Sequence, residues 1–400
     1  MKKRTMAILL AVIMLFAMTL TGCGGDGGGG AADAPGASVT EDGRDANGNI
    51  VDRTAYAIYL GKDIFSEEDL AIWEKIEEPS KNPDKVVFRV ASTSRSFDET
   101  PMARGDKRFF IELKKALGDK IEFQFFMNAA LGGTADQILG GLQAGNFEFA
   151  VYNVGAFYEY TKAFTPLDVG FLIPDLEAGI AVCEVGSPAR ELMIERCKED
   201  AGLRVVVMGA IGMRHITTGK HPINTLDDLN GLKIRVQNNN LHMAMFDGLG
   251  ASPTPIAFAE LFTALQQKTV DGQENPIANI FEQNYVEVQD HMTLSNHLYT
   301  AAASVMSEKF YQSLSKEFQD AIDKAAAIAQ AQSGPDLINC EAAMMEYMES
   351  QGMSIVELSD AEIAKFKEVS ETVYPLAAEV MGEQYFNDVK AAIEEVVGKL

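Results

Sequence analysis

Tryptophan occurs once, cysteine four times and histidine five times in 400 residues. The scarcity of the last two narrows the chemistry. No CxxC pair and no His-rich spacing offers the thiolate or imidazole set that a metal site needs. The histidines, His215, His221, His242, His291 and His297, are scattered. No GxSxG stretch, and no Ser, His and Asp in a recognisable catalytic context, supports a hydrolase. Cations are also in short supply, with 34 Lys and Arg against 58 Asp and Glu, a formal net charge of −24. A chain this acidic repels phosphate backbones, which argues against nucleic acid as a partner. The same field repels small anions unless a local cluster of arginine or lysine overrides it. The apolar run from Met6 to Leu20 falls short of the roughly 20 residues that span a bilayer.

That run follows Lys2, Lys3 and Arg4 and precedes small residues, the order of a secretory leader. "LTGC", Leu20–Cys23, resembles the lipobox of bacterial lipoproteins. The resemblance implies a signal peptide over 1–22 and a diacylglycerylated Cys23, and two acyl chains suffice for stable anchoring. Residues 23–39 then form a Gly-rich tether with a reach of roughly 20–25 Å. Cys183, Cys197 and Cys340 read as buried thiols. The rest is of globular composition, 47% hydrophobic and 23% charged, and the length suggests two or three domains.

Residues 40–83 are a polar, acidic extension to which the sequence assigns no role. Within it Ser66 predicts the N-cap of a short helix over Ser66–Glu78, which carries Trp73. From Lys85 the pattern becomes α/β. Strands at Val86–Ser92, Ile121–Phe126 and Phe147–Asn153 alternate with helices at Ala103–Asp119 and Thr134–Asn146, the order of a parallel sheet with crossover helices. Further strands are expected at Leu203–Ala210, Arg214–Gly219 and Ala301–Ser307. A helix from Lys316 to about Gln351 should kink or break at Gly334-Pro335. Its methionines, Met344, Met345 and Met348, read as core filler. The fold expected is α/β with two lobes, 84–211 plus about 300–338 and 212–299 plus about 339–400. Ligands favour such interfaces.

Three short stretches hold the candidate site. "GMRHITTG" places Arg214 at the start of a strand, "GLKIRVQNNN" places Arg235 near the end of another, and "VDGQENP" places Asn275 in a Pro-stopped turn. Arginine's planar fork suits a carboxylate, and an asparagine beside it supplies a donor and an acceptor. Taken alone, each arginine reads as a solvated strand residue and Asn275 as a turn residue.

Together the stretches carry more. "GLKIRV", "GASPTPIAFAELFTALQ" and "VDGQENP" resemble, in order and spacing, the solute-binding subunits of TRAP (tripartite ATP-independent periplasmic) transporters. "ALGDKIEFQFF" and "ILGGLQAGNFEFA" resemble that family's first lobe. The likeness extends from about Val86 to Leu400. It implies a two-lobed periplasmic-binding-protein fold with hinge strands and a long helix spanning both lobes. It also implies Arg235 as the ligand's carboxylate clamp, Arg214 as a second contact, and Asn275 as an orienting amide. Asn238, Phe258, Asn153 and His297 fall at further positions near the ligand. Gln237 stands where the family often has proline. Asn153 stands where sialic acid binders carry a carboxylate, and Gly133 and Thr134 replace acidic residues, which argues against a sialic acid ligand.

The function implied is a monomeric, lipid-anchored extracytoplasmic receptor. It takes up a small organic acid and passes it to ion-gradient-driven membrane permease subunits, without enzymatic activity, cofactor or metal. A ligand sensor presenting its closed form to a signalling partner is the alternative. A subunit of an ATP-driven importer is disfavoured by the "GLKIRV" to "DGQENP" series.

Overall fold

The structure is a computed structural model in which residues 40–45 and 48–400 are described. The expected signal peptide, Cys23 and the tether lie outside them.

Strands β1 (Val86–Ser92), β2 (Ile121–Phe126) and β3 (Phe149–Asn153) are parallel, with β1 in the middle, as the strand–helix–strand order predicts. The crossover helix Pro101–Leu117 is capped by the Thr100 side chain and buries Phe109, Phe110, Leu113 and Leu117. The second crossover differs from expectation. Instead of a helix over 134–146 there is a π-helical turn, Asp136–Gly140, and one α-turn, Gly141–Gln143. Adjacent glycines weaken a helix here. A Cβ at Gly141 would lie 2.8 Å from the Phe147 ring, so the close packing requires glycine.

β4 (Leu203–Thr218) is a single strand of 16 residues where the sequence reads as two. The interruption is taken up by a register shift between Ala210 and Gly212. Gly212 has φ 128°, a conformation that side chains other than glycine's resist. Up to Met213, β4 pairs with β9 (Tyr299–Ser307); from Arg214 it pairs with β7 (Gly272–Pro276) and, from Ile216, with β8 (His291–Leu294). Arg214 therefore lies well inside a strand, and Asn275 lies in a strand rather than a turn. β5 (Lys233–Val236) runs parallel between β7 and β6 (Ser252–Pro255), and β10 (Ser354–Glu357) runs parallel to β8. The strand order is β2-β1-β3-β9-β4-β7-β5-β6, so β4 joins the β1–β3 group to the β5–β8 group.

The helix Lys316–Ser350 spans 35 residues without a break at Pro335, about 50 Å at 1.5 Å per residue. Proline costs a helix interior roughly 3 kcal/mol. The burial of Phe318, Ile322, Ala325 and Ala329 in one core cluster, and of Cys340, Met344 and Met348 in another, outweighs that cost. Gly334 abuts Ile180, where a Cβ would meet a side-chain carbon at 2.7 Å.

The extension is docked. Ser66 and Asp69 form a capping box, and the helix they start ends at Trp73, short of the expected Glu78. Trp73 packs edge-on to Phe97, 5.2 Å away, beside Phe125. Ile50, Tyr56 and Ala57 join the cluster of Phe281, Met344 and Met348. Arg104 ties the two parts together. It pairs with Asp336 at 2.8 Å and donates to the Ala57 carbonyl at 3.5 Å.

Candidate ligand-binding site

A cavity of about 510 Å³ opens between the β1–β3 group and the β5–β8 group. Arg235, Asn275, Asn238, Phe258 and Asn153 line it, and so does Gln237; Arg214 and His297 do not.

Arg235 is fixed by β5, where parallel neighbours flank it on both sides: Thr254 of β6 and Gln273 of β7. The alternation predicted for "LKIRV" holds for Lys233, which is exposed, but not for Arg235, which is 2% exposed. Its Nε donates to the Ile256 carbonyl at 2.9 Å. Its Nη1 is buried without a partner. Among the described residues no carboxylate lies at ion-pair distance. Burial lowers its pKa to about 10, with the charges of Tyr285 and Glu274 acting in the opposite direction. It therefore stays charged at neutral pH.

Arg214 has the opposite surroundings. It is wholly buried against wholly buried Glu274, which accepts from its Nε and, at 2.9 Å, from its Nη2. Nη1 donates to Thr300 Oγ1 at 3.1 Å, and Nη2 reaches Asn275 Oδ1 at 3.0 Å. Burial would raise the Glu274 pKa. The Arg214 charge, the neighbouring His242 ring and hydrogen bonds from His297 and Arg214 hold it well below the ordinary range.

His297 sits between Ser295 (2.8 Å) and Glu274 (3.3 Å), and burial lowers its pKa despite Glu274. His242 bridges Asp168, at 3.0 Å, and Glu274, at 3.8 Å. Burial would lower the His242 pKa, but its hydrogen bond to Asp168 and the nearby Glu274 carboxylate raise it. This buried charge network behind the cavity was not foreseen. Glu274 adjoins Asn275 in "QENP", yet nothing marks it among 58 acidic residues.

Asn275 connects network and cavity. Its Nδ2 donates to Gln273 Oε1 at 2.5 Å while Oδ1 accepts from Arg214. Asn153 spends Oδ1 on the Gly155 backbone N–H at 2.8 Å, capping a 3-10 turn, which leaves its amide hydrogens to face the cavity. Phe258, half-buried, starts another 3-10 turn, and Asn238 is exposed in the bend just past β5. Cys183, Cys197 and Cys340 are buried free thiols. Among the described residues no group of three His, Cys, Asp or Glu could hold a metal ion, and no helix is long and apolar enough to cross a membrane.

A family model described as bacterial extracellular solute-binding protein, family 7, matches residues 94–380. The chain belongs to this family. It is 32% identical over 284 residues to a solute-binding protein of Roseobacter denitrificans, covering 69% of this chain and 85% of that one. The sugar acid binding protein DctPAm of Advenella mimigardefordensis, solved with galactonate, is similar at TM-score 0.73 and 28% identity, over 79% of this chain and 100% of that one. A TRAP periplasmic solute-binding protein of Shewanella oneidensis, solved with succinate, is similar at TM-score 0.71 and 25% identity, over 77% and 99%. The likeness to TRAP solute-binding subunits read from the sequence is borne out, and with it the α/β fold. The extension over 40–83 precedes the matched range of this family 7 protein.

Proposed function

We propose that this protein is the extracytoplasmic solute-binding subunit of a TRAP transporter, and that it captures a small organic acid through an Arg235–carboxylate clamp. The observation that carries this reading is a buried guanidinium that faces a cavity and has, among the described residues, one nitrogen unpartnered and no counter-ion. Such a group is costly to leave bare, and an anionic ligand supplies what it lacks. Asn275 orients the bound carboxylate, Asn153 and Asn238 offer further amide contacts, and Phe258 covers an apolar flank. Arg214 and His297 serve from behind, Arg214 by holding Asn275.

The two lobes divide at 84–211 plus about 300–338 and 212–299 plus about 339–400. The change of partners along β4 at Met213 and Arg214 supports a hinge there. Contacts from both lobes favour the closed form, which is handed to the permease subunits with the ligand chemically unchanged. Cleavage after residue 22 and acylation of Cys23 hold the molecule at the membrane.

Arg235→Ala tests the clamp. Losing one partner of a buried charge pair costs about 2–5 kcal/mol, roughly 30- to several-thousand-fold in Kd, with the fold intact by circular dichroism. Calorimetry with the bound acid that retains near wild-type affinity would refute the clamp.

A further inference from the structure

Two of the charged side chains lining the cavity are buried, and they have opposite signs. One is Arg235; the other is Glu282, 6% exposed. Arg95, Asp136 and Glu159 also line it but are exposed. Glu282 ends the helix Ile277–Glu282, which leaves β7 directly after Pro276. Asn275 and Glu282 are therefore set on one wall by a short, continuous piece of backbone.

Glu282 has little to satisfy a negative charge. Among the described residues its one hydrogen bond comes from the Arg95 backbone N–H, 3.3 Å from Oε1, and no cation lies at ion-pair distance. Arg53, stacked over the neighbouring Phe281, is already paired with Glu99 at 2.9 Å. Burial pushes the Glu282 carboxyl up to about 7; the Arg95 N–H and the charges of Arg95 and Arg53 oppose the shift, and Glu99 adds to it. Close to neutral pH this side chain is therefore protonated much of the time. A protonated carboxyl both donates and accepts hydrogen bonds, as the surrounding carboxamides do.

Alcohols also donate and accept. A second ligand carboxylate only accepts, and here it would face a like charge or force proton uptake. We propose that Glu282 reads a hydroxyl-bearing tail, so that the site takes polyhydroxylated monocarboxylates in preference to dicarboxylates. This rests on Arg235 being the carboxylate anchor.

Calorimetry at neutral pH with two series of probes tests it: aldonates (erythronate, gluconate, galactonate) and dicarboxylates (succinate, malate). The wild type should bind its best aldonate more tightly than any dicarboxylate. Glu282→Ala should weaken aldonate binding about 10- to 100-fold, the effect of losing hydrogen bonds to a buried group, and leave dicarboxylate binding unchanged or tighter. Glu282→Gln keeps a donor and an acceptor. It should recover most of the aldonate affinity, and being near-isosteric it preserves the test if the alanine variant fails to fold. Dicarboxylates binding as tightly as aldonates to the wild type, or both variants keeping the wild-type preference, would overturn the proposal while leaving the anchor standing. Binding by neither series would overturn this proposal alone, and unchanged binding in Arg235→Ala would overturn the anchor and this proposal together.

Discussion

Replacing Glu274 by alanine should destabilise the protein far more than a typical substitution. Glu274 and Arg214 are both wholly buried, and one carboxylate serves Arg214, His242 and His297. Alanine strands the Arg214 charge in a desolvated interior. Removing one member of a buried pair costs about 3–5 kcal/mol, a large share of the roughly 5–15 kcal/mol that holds a folded protein together. The sign of the pH dependence follows from the lowered pKa of Glu274. Its contribution is full above the unfolded value, near 4.5, and is lost as pH falls through the lower folded value. The gap between variant and wild type should therefore be widest at neutral pH and close in strong acid. Denaturant unfolding across pH measures it. Ligand affinity should fall as well, because Arg214 holds Asn275, but by less than in Arg235→Ala. An unfolding free energy at neutral pH within about 1 kcal/mol of wild type would refute the view that Glu274 compensates Arg214.

Two further outcomes are expected. Asp106 is buried and accepts from Ser304 Oγ at 2.6 Å, and burial pushes its carboxyl up to about 7. A raised carboxyl stabilises the fold most below its unfolded pKa, and that contribution is lost as pH rises through the folded value. Asp106→Asn cannot ionise, so in thermal melts it should gain on the wild type above pH 7, by an amount on the order of a few kcal/mol, and not near pH 4; melting curves that shift in parallel at both pH values would sink this. Arg104→Met should leave Asp336 buried and unpaired and free the Ala57 carbonyl, costing about 3–5 kcal/mol. Limited proteolysis should then cut within residues 50–60, and continued protection of that segment would show that Arg104 does not hold the extension.

The parallel strands β1–β3 were legible because apolar alternation and capping are local signals. The charge state of the site was not. Arg235 alternates with apolar neighbours and so reads as solvent-facing, whereas in the fold both faces of β5 are covered from Ile234 to Val236. The Arg214–Glu274 pair joins residues 60 apart and exists only once β4 pairs with β7. Pro335 carries a genuine local break signal, overruled by packing along both ends of its helix. The extension reads as polar because its apolar residues, among them Ile50, Tyr56, Phe65 and Trp73, are interleaved with acidic and basic ones and form no long amphipathic stripe. Their burial depends on partners more than 20 residues away in sequence.

The register of β7 determines which arginine is left open. Consecutive strand residues point to opposite faces, so Glu274 gives its carboxylate to Arg214, while Asn275 lines the cavity and meets Arg214 only through its Oδ1. A slip of one residue would exchange them. It would put a carboxylate in the cavity that Arg235 lines, where a ligand would have to displace it, and would leave Arg214 buried without a counter-ion. The pairing of Thr218 with Gly272 helps prevent that slip, because a Cβ at Gly272 would lie 2.2 Å from the Thr217 carbonyl oxygen and only glycine fits there. In a chain of net charge −24, the proposed selectivity for an anion would depend less on adding cations than on keeping one arginine away from the protein's own carboxylates. A neutral amide at position 275, with the acid held one residue earlier, achieves this.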